Sequence, residues 1–350
     1  MVHLLLTLAL SQSPATLAQT VVLDVSVVDK KGKPVTGLTP ADFTIFEDDK
    51  PVRVARATEI NGAQATEADG RIAVLFLDDA TPAPTGEDKQ AKEIANHFVD
   101  ALGPMDVAGV IFAANASGVQ SLTTDRASLK AGISRFQPRI GQFSVSNSDT
   151  GGRLARGGYD RFDSGAVSLY RTTLQSLLRL ITRLAVIENR RKAIVMISAG
   201  LPFTPPDPRK IAIDDPSGTA DAVIEDMRAV IRAAQIAKVT IYTVDPGGLR
   251  LASQPLDDVT SLTAEAPAPR TTAVGQANQS FLRSLSLNTG GFATLNTNDT
   301  KAPARSILLD LSGYYMVAFE SERPDAGFRS LSVRVNKPGL TVRARPGYWR

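Results

Sequence analysis

The sequence of 350 residues contains no cysteine and only two histidines. The absence of cysteine excludes disulfides, thiolate nucleophiles and cysteine-ligated metals, so thiol usage gives no information on the cellular compartment. Beyond the first twenty residues the one histidine is His97, within a predicted helix, and no Gly-x-Ser-x-Gly nucleophile motif accompanies it. The sequence therefore does not support a Ser-His-Asp catalytic triad.

Phosphate-binding loops and opposed acidic pairs are also missing. No Gly-x-x-x-x-Gly-Lys-Ser/Thr loop is present, and the glycine pairs at 151–152 and 157–158 do not follow a predicted strand. Acidic pairs occur at 48–49, 78–79 and 257–258, but neighbours in a loop need not face each other, as acid-base catalysis requires. We predict no catalytic residues and no enzymatic activity, with an α/β hydrolase or a nucleotide-binding enzyme as the alternative.

The chain also lacks a strong excess of charge and any long apolar run. Its 39 basic and 36 acidic residues are spread along the sequence, so no nucleic-acid partner is predicted. No segment after the first twenty residues approaches the roughly 18 continuous apolar residues of a membrane span. Residues 1–19 resemble a secretory signal peptide, with an apolar run from Val2 to Leu10 and a small residue, Ala18, before a cleavage point. This segment lacks the basic N-terminal region of a typical signal peptide, and a mis-assigned start of the chain is the alternative interpretation. We expect a signal peptide, and therefore a secreted or periplasmic protein.

Both ends of the remaining chain have the pattern of antiparallel strands. Residues 21–35 predict a strand, a turn and a returning strand, and residues 42–60 repeat this pattern. Residues 327–350 alternate apolar and polar side chains on both sides of a further turn. Neither end has enough strands for a stable sheet, so residues 20–65 and 313–350 are predicted to form one small β-sandwich together.

Between these ends, residues 66–312 alternate short apolar runs with longer amphipathic segments. This alternation is typical of an α/β fold, a doubly wound and mostly parallel sheet with helices on both faces. The link 115–118 between the second and third runs is too short to join parallel neighbours, so the third strand is predicted to be an antiparallel edge strand. The predicted strands are 71–78, 107–114, 119–124, 192–200, 239–246 and 291–296, and the predicted helices are 88–102, 126–136, 165–189, 219–238, 277–288 and 300–312.

The long loops of this unit are all predicted to open at the carboxyl end of the parallel strands. They are 78–87, 137–164, 201–218 and 245–276. Open α/β sheets bind ligands at this end. The aspartate pair at 78–79 therefore lies where a ligand is expected.

Four segments of the α/β unit form a distinctive set: a strand that ends in Asp78, an edge hairpin, the helix 165-GAVSLYRTTLQSL-177 and the strand 193-AIVMISAGLP-202. Together they resemble a von Willebrand factor type A (VWA) domain. More narrowly, the chain resembles the VWA-related domain proteins of Acidobacteria, which contain segments similar to 36-TGLTPADFTIFEDDK-50 and end similarly to 342-VRARPGYW-349. The resemblance covers nearly all of the chain after the signal-like segment, and it implies a VWA fold.

The resemblance also implies a place for a divalent cation, usually Mg²⁺, at the carboxyl end of the sheet. VWA domains typically hold it through Asp-x-Ser-x-Ser, a Thr before a central helix and a second Asp, because oxygen ligands suit this hard cation. Of these five positions only the first Asp is present, as Asp78. Moving the alignment by one residue places Asp79 at the first Asp and Thr81 at the first serine, but Ala83 at the second serine. The other matched positions offer no side-chain oxygen and are Ala80, Pro82, Val167 and Ala199. The residual candidates for metal ligands are Asp78, Asp79, Ser168 and Ser198.

Two interpretations of Asp78 and Asp79 remain open. Either they cap the helix near 87–88 or accept hydrogen bonds from loop amides, as acidic residues at strand-to-helix turns commonly do, or they belong to an altered cation site. We expect the structural role, in which the two aspartates bind no cofactor. In the alternative, an altered cation site, the bound ion would be Mg²⁺. The predicted function is a secreted, non-enzymatic module that binds another protein or acts as a scaffold through its loops, with metal-dependent ligand binding as the alternative.

Two smaller features have structural interpretations. The basic segment 189-NRRK-192 follows a predicted helix and is expected to compensate its dipole. The aromatic pair Tyr348 and Trp349 is expected to seal an edge of the sandwich.

Overall fold

The computed structural model describes residues 19–61, 70–83, 86–115, 119–139, 164–188, 190–201, 219–249, 268–321, 323 and 325–349. The strands are β1 (Gln19–Val28), β2 (Phe43–Glu47), β3 (Lys50–Val52), β4 (Val54–Asn61), β5 (Ile72–Leu77), β6 (Val107–Phe112), β7 (Gln120–Thr123), β8 (Lys192–Ile197), β9 (Val239–Val244), β10 (Ala293–Thr294), β11 (Gly313–Ser321), β12 (Phe328–Val335), β13 (Thr341–Arg343) and β14 (Gly347–Trp349). The α-helices are α1 (Glu87–Asp100), α2 (Arg126–Ser134), α3 (Ser164–Ala185), α4 (Thr219–Ala237), α5 (Ala268–Leu287) and α6 (Ala302–Ser312).

Six strands form the central sheet in the order β10-β9-β8-β5-β6-β7. Neighbours are parallel except for β6 and β7, which pair antiparallel at the edge. All six residues of β5 and of β8 are buried, since helices cover both faces, which explains their nearly continuous apolar sequences. The predicted α/β fold with one antiparallel edge strand, which the VWA resemblance implies, is confirmed.

Three helices pack on each face of this sheet. One core contains α3, α4 and α5, and the other contains α1, α2 and α6. Leu174, Leu177, Ile181 and Leu184 lie on one side of α3 and are buried against β5 and β8, as their helical spacing predicts. Helix α5 begins at Ala268 rather than at the predicted residue 277, because its first turns have no apolar stripe to reveal them. Within the described residues, no helix combines the length and apolar character needed to cross a bilayer.

Strands from both chain ends form two four-stranded sheets, in the orders β13-β1-β11-β4 and β14-β12-β2-β3. Their inner faces enclose a core that includes Leu23, Val25, Ile45, Val317 and Phe319. The predicted sandwich built from both ends is therefore present. The boundaries assigned from the sequence at residues 19, 65 and 312 stay predictions.

Two strand pairings differ from those expected of local hairpins. After the turn that follows β1, the chain makes a single bridge, between Val28 and Pro34, instead of a returning strand. Proline has no backbone N–H to donate to a ladder. Strands β12 and β13 belong to different sheets, because β12 pairs with β2 while β13 pairs with β1. Alternation of apolar residues indicates a strand but does not indicate its partner.

Candidate functional site

Asp78 directly follows β5 at the carboxyl end of the central sheet and is 4% exposed. Its Oδ1 accepts hydrogen bonds from the backbone N–H groups of Ala80 (3.2 Å) and Thr81 (3.1 Å) and from Thr173 Oγ1 (3.0 Å). Its Oδ2 accepts one from Ser198 Oγ at 2.7 Å. A buried carboxylate is tolerated only when it is paired or well hydrogen-bonded, and these four donors supply that compensation.

Three separate chain segments supply the donors. Thr173 lies in the middle of α3, Ser198 directly follows β8, and the two amides belong to the loop after β5. The backbone N–H of Asp78 also donates to Ile197 O at 3.1 Å, so the ends of β5 and β8 are held together. Asp78 therefore fixes the first loop of the carboxyl face against two other elements.

Ser198 extends this network into the next loop. Its Oγ accepts a hydrogen bond from the backbone N–H of Gly200 at 3.0 Å. Gly200 has φ +86°, and a Cβ atom at this position would lie 2.5 Å from the carbonyl oxygen of Asn278 in α5. The loop after β8 therefore approaches α5 so closely that only glycine fits.

Asp79 faces a different neighbour. Its Oδ1 accepts a hydrogen bond from the N–H of Ala114 (2.6 Å) and its Oδ2 one from the N–H of Asn115 (3.0 Å), both in the loop that follows β6. Burial raises the pKa of Asp79 above its ordinary value of 3.8, although the two amide hydrogen bonds act against this shift. Asp79 therefore connects the ends of β5 and β6 and takes no part in the hydrogen bonds of Asp78.

The structure brings together only some of the residues singled out from the sequence. Ser198 contacts Asp78, whereas Ser168 is exposed on α3 and has no hydrogen bond with Asp78. Val167 and Ala199 are buried. The acidic pair does not cap α1, whose N-cap is Gly86 without a side-chain cap, but both aspartates accept bonds from loop amides.

Sequence reasoning missed Thr173 and the contribution of Thr81. Thr173 Oγ1 lies 3.0 Å from Asp78 Oδ1 and 3.5 Å from Thr81 Oγ1, and both threonines are buried. A threonine in mid-helix has no local pattern that distinguishes it. The one cue in the sequence is that Thr173 lies among Tyr170, Leu174 and Leu177, on the side of α3 that faces the core.

The oxygen atoms around Asp78 fit a magnesium ion poorly. Mg²⁺ requires near-octahedral oxygen ligands and loses water reluctantly. Here one carboxylate is available, and the hydroxyls of Thr173 and Ser198 already donate to it. Among the residues that the structure describes, no group of three or more His, Cys, Asp or Glu side chains is placed to hold a metal. A cation at this place would have to displace existing hydrogen bonds.

The described ends of two of the long loops contact each other at this face. The backbone N–H of Ala83 donates to Arg139 O at 3.0 Å, which places the start of the 137–164 loop beside the loop after β5. Asp245, directly after β9, accepts a hydrogen bond from the N–H of Gly247 at 2.8 Å. Most of 137–164, 201–218 and 245–276 lies outside the described residues.

Comparisons with known proteins give structural matches only. No known protein family and no curated protein matches the sequence. Among solved structures, an aerotolerance-related membrane protein from Bacteroides fragilis is 15% identical with a TM-score of 0.36, covering 69% of this chain and 98% of that chain. The manganese-loaded TRAP protein of Plasmodium vivax is 9% identical with a TM-score of 0.36, covering 82% and 95%. A von Willebrand factor type A protein from Catenulispora acidiphila is 11% identical with a TM-score of 0.36, covering 96% and 75%. Because the sequence identities and TM-scores are so low, the fold assignment rests on this chain's own strand order and edge strand.

Proposed function

We propose that this protein is a secreted, non-enzymatic binding module of the VWA type, which engages a partner protein through the loops at the carboxyl end of its central sheet. The observation that carries the proposal is the internally bonded carboxylate of Asp78. At the end of the sheet where α/β folds bind ligands, the strand ends form a fixed platform next to the described starts of the long loops, at residues 139, 201 and 245–249. Recognition then depends on the loops and not on a metal ion.

The described acidic groups of this face do not suggest catalysis. Asp78, Asp79 and Asp245 each accept hydrogen bonds from neighbouring loop amides. His97 lies on α1, where its Nε2 is 3.5 Å from Glu93 Oε1. Each of these four groups already has a partner within the protein, and we assign none of them a role in proton transfer to a ligand. A non-enzymatic module fits this arrangement better than a hydrolase does.

The test compares two variants of the full chain in a pull-down with quantitative mass spectrometry. In the first, residues 141–158 are replaced by a short Gly-Ser linker, which alters the proposed face. In the second, the exposed apolar residues at the opposite ends of α3, α4 and α5 are replaced by serine: Val186, Ile236 and Leu287. We expect a partner that the first variant loses and the second retains. Loss with the second variant alone would contradict a carboxyl-end binding face.

A metal-dependent VWA module is the second candidate, because the hydroxyls of Thr81, Thr173 and Ser198 converge near Asp78. Its test is thermal denaturation in Mg²⁺ or Mn²⁺. We expect millimolar Mg²⁺ to raise the Tm by no more than about one degree, because a ligand stabilises by RT ln(1 + [L]/Kd) and Kd is expected to be comparable to the dose. Asp78→Ala should leave this response unchanged. Saturable stabilisation by several degrees at micromolar cation, abolished in Asp78→Ala, would establish the second candidate instead.

A further inference from the structure

A lysine-lined depression lies on the sandwich, away from the carboxyl-end loops. It has a volume of about 560 Å³, between the turn that follows β1 and the turn that joins β12 to β13. Ser26 of β1 contacts Arg191, directly before β8, so this region lies near the amino ends of the parallel strands. The residues that line the depression are Asp29, Lys30, Lys31, Lys33, Pro338 and Gly339.

The acidic residue of this depression, Asp29, offsets only one of its three lysine charges. Asp29 Oδ1 accepts hydrogen bonds from the backbone N–H groups of Lys31 (2.8 Å) and Lys33 (2.9 Å). These backbone hydrogen bonds, led by that of Lys33, lower the pKa of Asp29, so its carboxylate stays ionised and directed into its own turn. The nearby Lys337 does have an acidic partner, Asp42 Oδ1 at 3.1 Å. Within the described part of the chain, no ion pair joins the side chains of Lys30, Lys31 or Lys33 to a carboxylate.

The backbone around the lysines is preorganised. In the first turn the N–H of Asp29 donates to Lys33 O (2.9 Å) and the N–H of Gly32 donates to Asp29 O (3.0 Å). In the second turn Gly339 has φ +77°, and a Cβ atom there would lie 3.3 Å from Lys30 Cε. Glycine is therefore favoured by the backbone conformation, while the exposed end of Lys30 could move aside. A fixed backbone lowers the entropy lost when a ligand binds.

We propose that this depression binds a short, extended, acidic segment of a partner protein. Its cations are all lysines, which bind carboxylates as point charges, and it has no arginine for bidentate phosphate recognition. Its lining has no aromatic ring on which a nucleic-acid base could stack. Its three lysines are fewer than the roughly four to eight clustered basic residues of segments that bind anionic bilayers. The surface is separate from the carboxyl-end loops and does not depend on the function proposed for them.

The proposal is tested with a fluorescently labelled hexaglutamate peptide, whose binding to the full chain is measured by anisotropy at low and high salt. We expect binding that weakens with salt, and a loss of about tenfold in affinity for the variant with Lys30→Gln, Lys31→Gln and Lys33→Gln, as three exposed ion pairs would supply. The matched control carries Lys50→Gln, Lys89→Gln and Lys301→Gln, which remove the same charge from scattered exposed positions. The affinity of this control variant for the peptide should fall by less than about twofold. No binding by the wild type, or equal losses in both variants, would overturn the proposal.

A second variant separates a built depression from simple charge attraction. Asp29→Ala raises the net positive charge, so attraction alone would tighten peptide binding. Because it also releases the turn, we expect binding weakened by about threefold. Tighter binding would overturn the proposal. Binding of the wild type to phosphatidylglycerol vesicles but not to the peptide would overturn it as well and would identify a membrane contact.

Discussion

Single residues at the carboxyl face show how buried carboxylates can serve as structural anchors. Asp78, Asp79 and Asp245 each stand just beyond a parallel strand and each accept hydrogen bonds from loop amides. An uncompensated buried charge is costly, but a carboxylate with several charge-assisted hydrogen bonds is stable and holds its donors in place. The acidic residues of this face therefore shape the loops that surround them.

Asp78→Ala is expected to lower the free energy of unfolding by about 3 kcal/mol, because Thr173, Ser198 and two backbone amides lose their acceptor in a buried site. Urea denaturation measures this loss. The matched control is Asp100→Ala, whose carboxylate pairs with Lys130 on the exposed surface and is expected to contribute less than about 1 kcal/mol. Similar losses in the two variants would contradict the role of Asp78 as an anchor.

The raised pKa of Asp79 predicts a pH dependence of stability. A group whose pKa is higher in the folded than in the unfolded state stabilises the fold below its unfolded pKa, here near 3.8, and this contribution is lost as the pH rises through the folded value. The unfolding free energy of the wild type relative to Asp79→Asn should therefore fall with rising pH in that interval and then remain constant. Urea denaturation of both proteins between about pH 3 and 7 measures the difference. A difference that increases with pH would show that the sign is wrong.

At the scale of elements, the two chain ends depend on each other for their strand partners. Strand β11 lies between β1 and β4, and β12 lies between β2 and β14. A strand that loses its neighbours exposes unpaired backbone groups and one face of the core. The C-terminal strands are therefore not expected to remain ordered without the N-terminal ones.

Deletion of residues 1–60 is expected to expose 327–349 to protease, because β11 and β12 lose three of their four neighbouring strands. Limited trypsin digestion detects this through cleavage after Arg329, which is buried in the complete sandwich, and after Arg343 in β13. Deletion of residues 1–18 is the control, since it leaves β1 to β4 in place. Equal protection of 327–349 in both truncated chains would contradict the shared sandwich.

At the scale of the whole molecule, a buried ionic network joins the sandwich to the α/β unit. The side chain of Asp310 in α6 is fully buried, and it accepts hydrogen bonds from Tyr242 Oη (2.6 Å) in β9 and from Arg343 Nη2 (2.6 Å) in β13. Arg191 donates to the carbonyl oxygen of Asp310 at 2.7 Å and places its guanidinium over the ring of Tyr314. Burial, followed by the charge of Asp310, raises the pKa of Tyr242, which therefore remains a hydrogen-bond donor. Asp310 therefore joins β9 and α6 of the α/β unit to β13 of the sandwich.

Asp310→Ala is expected to destabilise the protein by about 3–5 kcal/mol, because it removes the buried carboxylate that pairs with Arg343 and Arg191 and accepts the hydrogen bond of Tyr242. Two probes follow the unfolding: the fluorescence of Trp349, the one tryptophan, which lies in β14 against Arg232 of α4, and the helical circular dichroism. Both transitions should shift together to lower urea concentrations. The surface variant Asp100→Ala is again the control. A shift in one probe alone would show that the sandwich and the α/β unit unfold independently.

Local patterns predicted most elements and the position of Asp78. Three patterns were sufficient for these predictions: the apolar run of β5 followed by two aspartates, the helical stripe on α3 and the four-residue link before β7. Periodicity and loop length depend only on neighbours along the chain. The same patterns did not reveal Thr173, and they assigned Arg191 to compensation of a helix dipole. The structure instead places Arg191 in the network around Asp310.

The sequence by itself determined the alternation of strands and helices, the antiparallel edge strand and the mixture of strands from both chain ends. Only the tertiary structure decided that β13 pairs with β1, that Thr173 and Ser198 bond Asp78, and that Arg191 and Arg343 meet Asp310. Each of these contacts joins residues far apart in the chain. Their partners are selected by packing and by the need to satisfy buried polar groups, and neither requirement leaves a local pattern in the sequence.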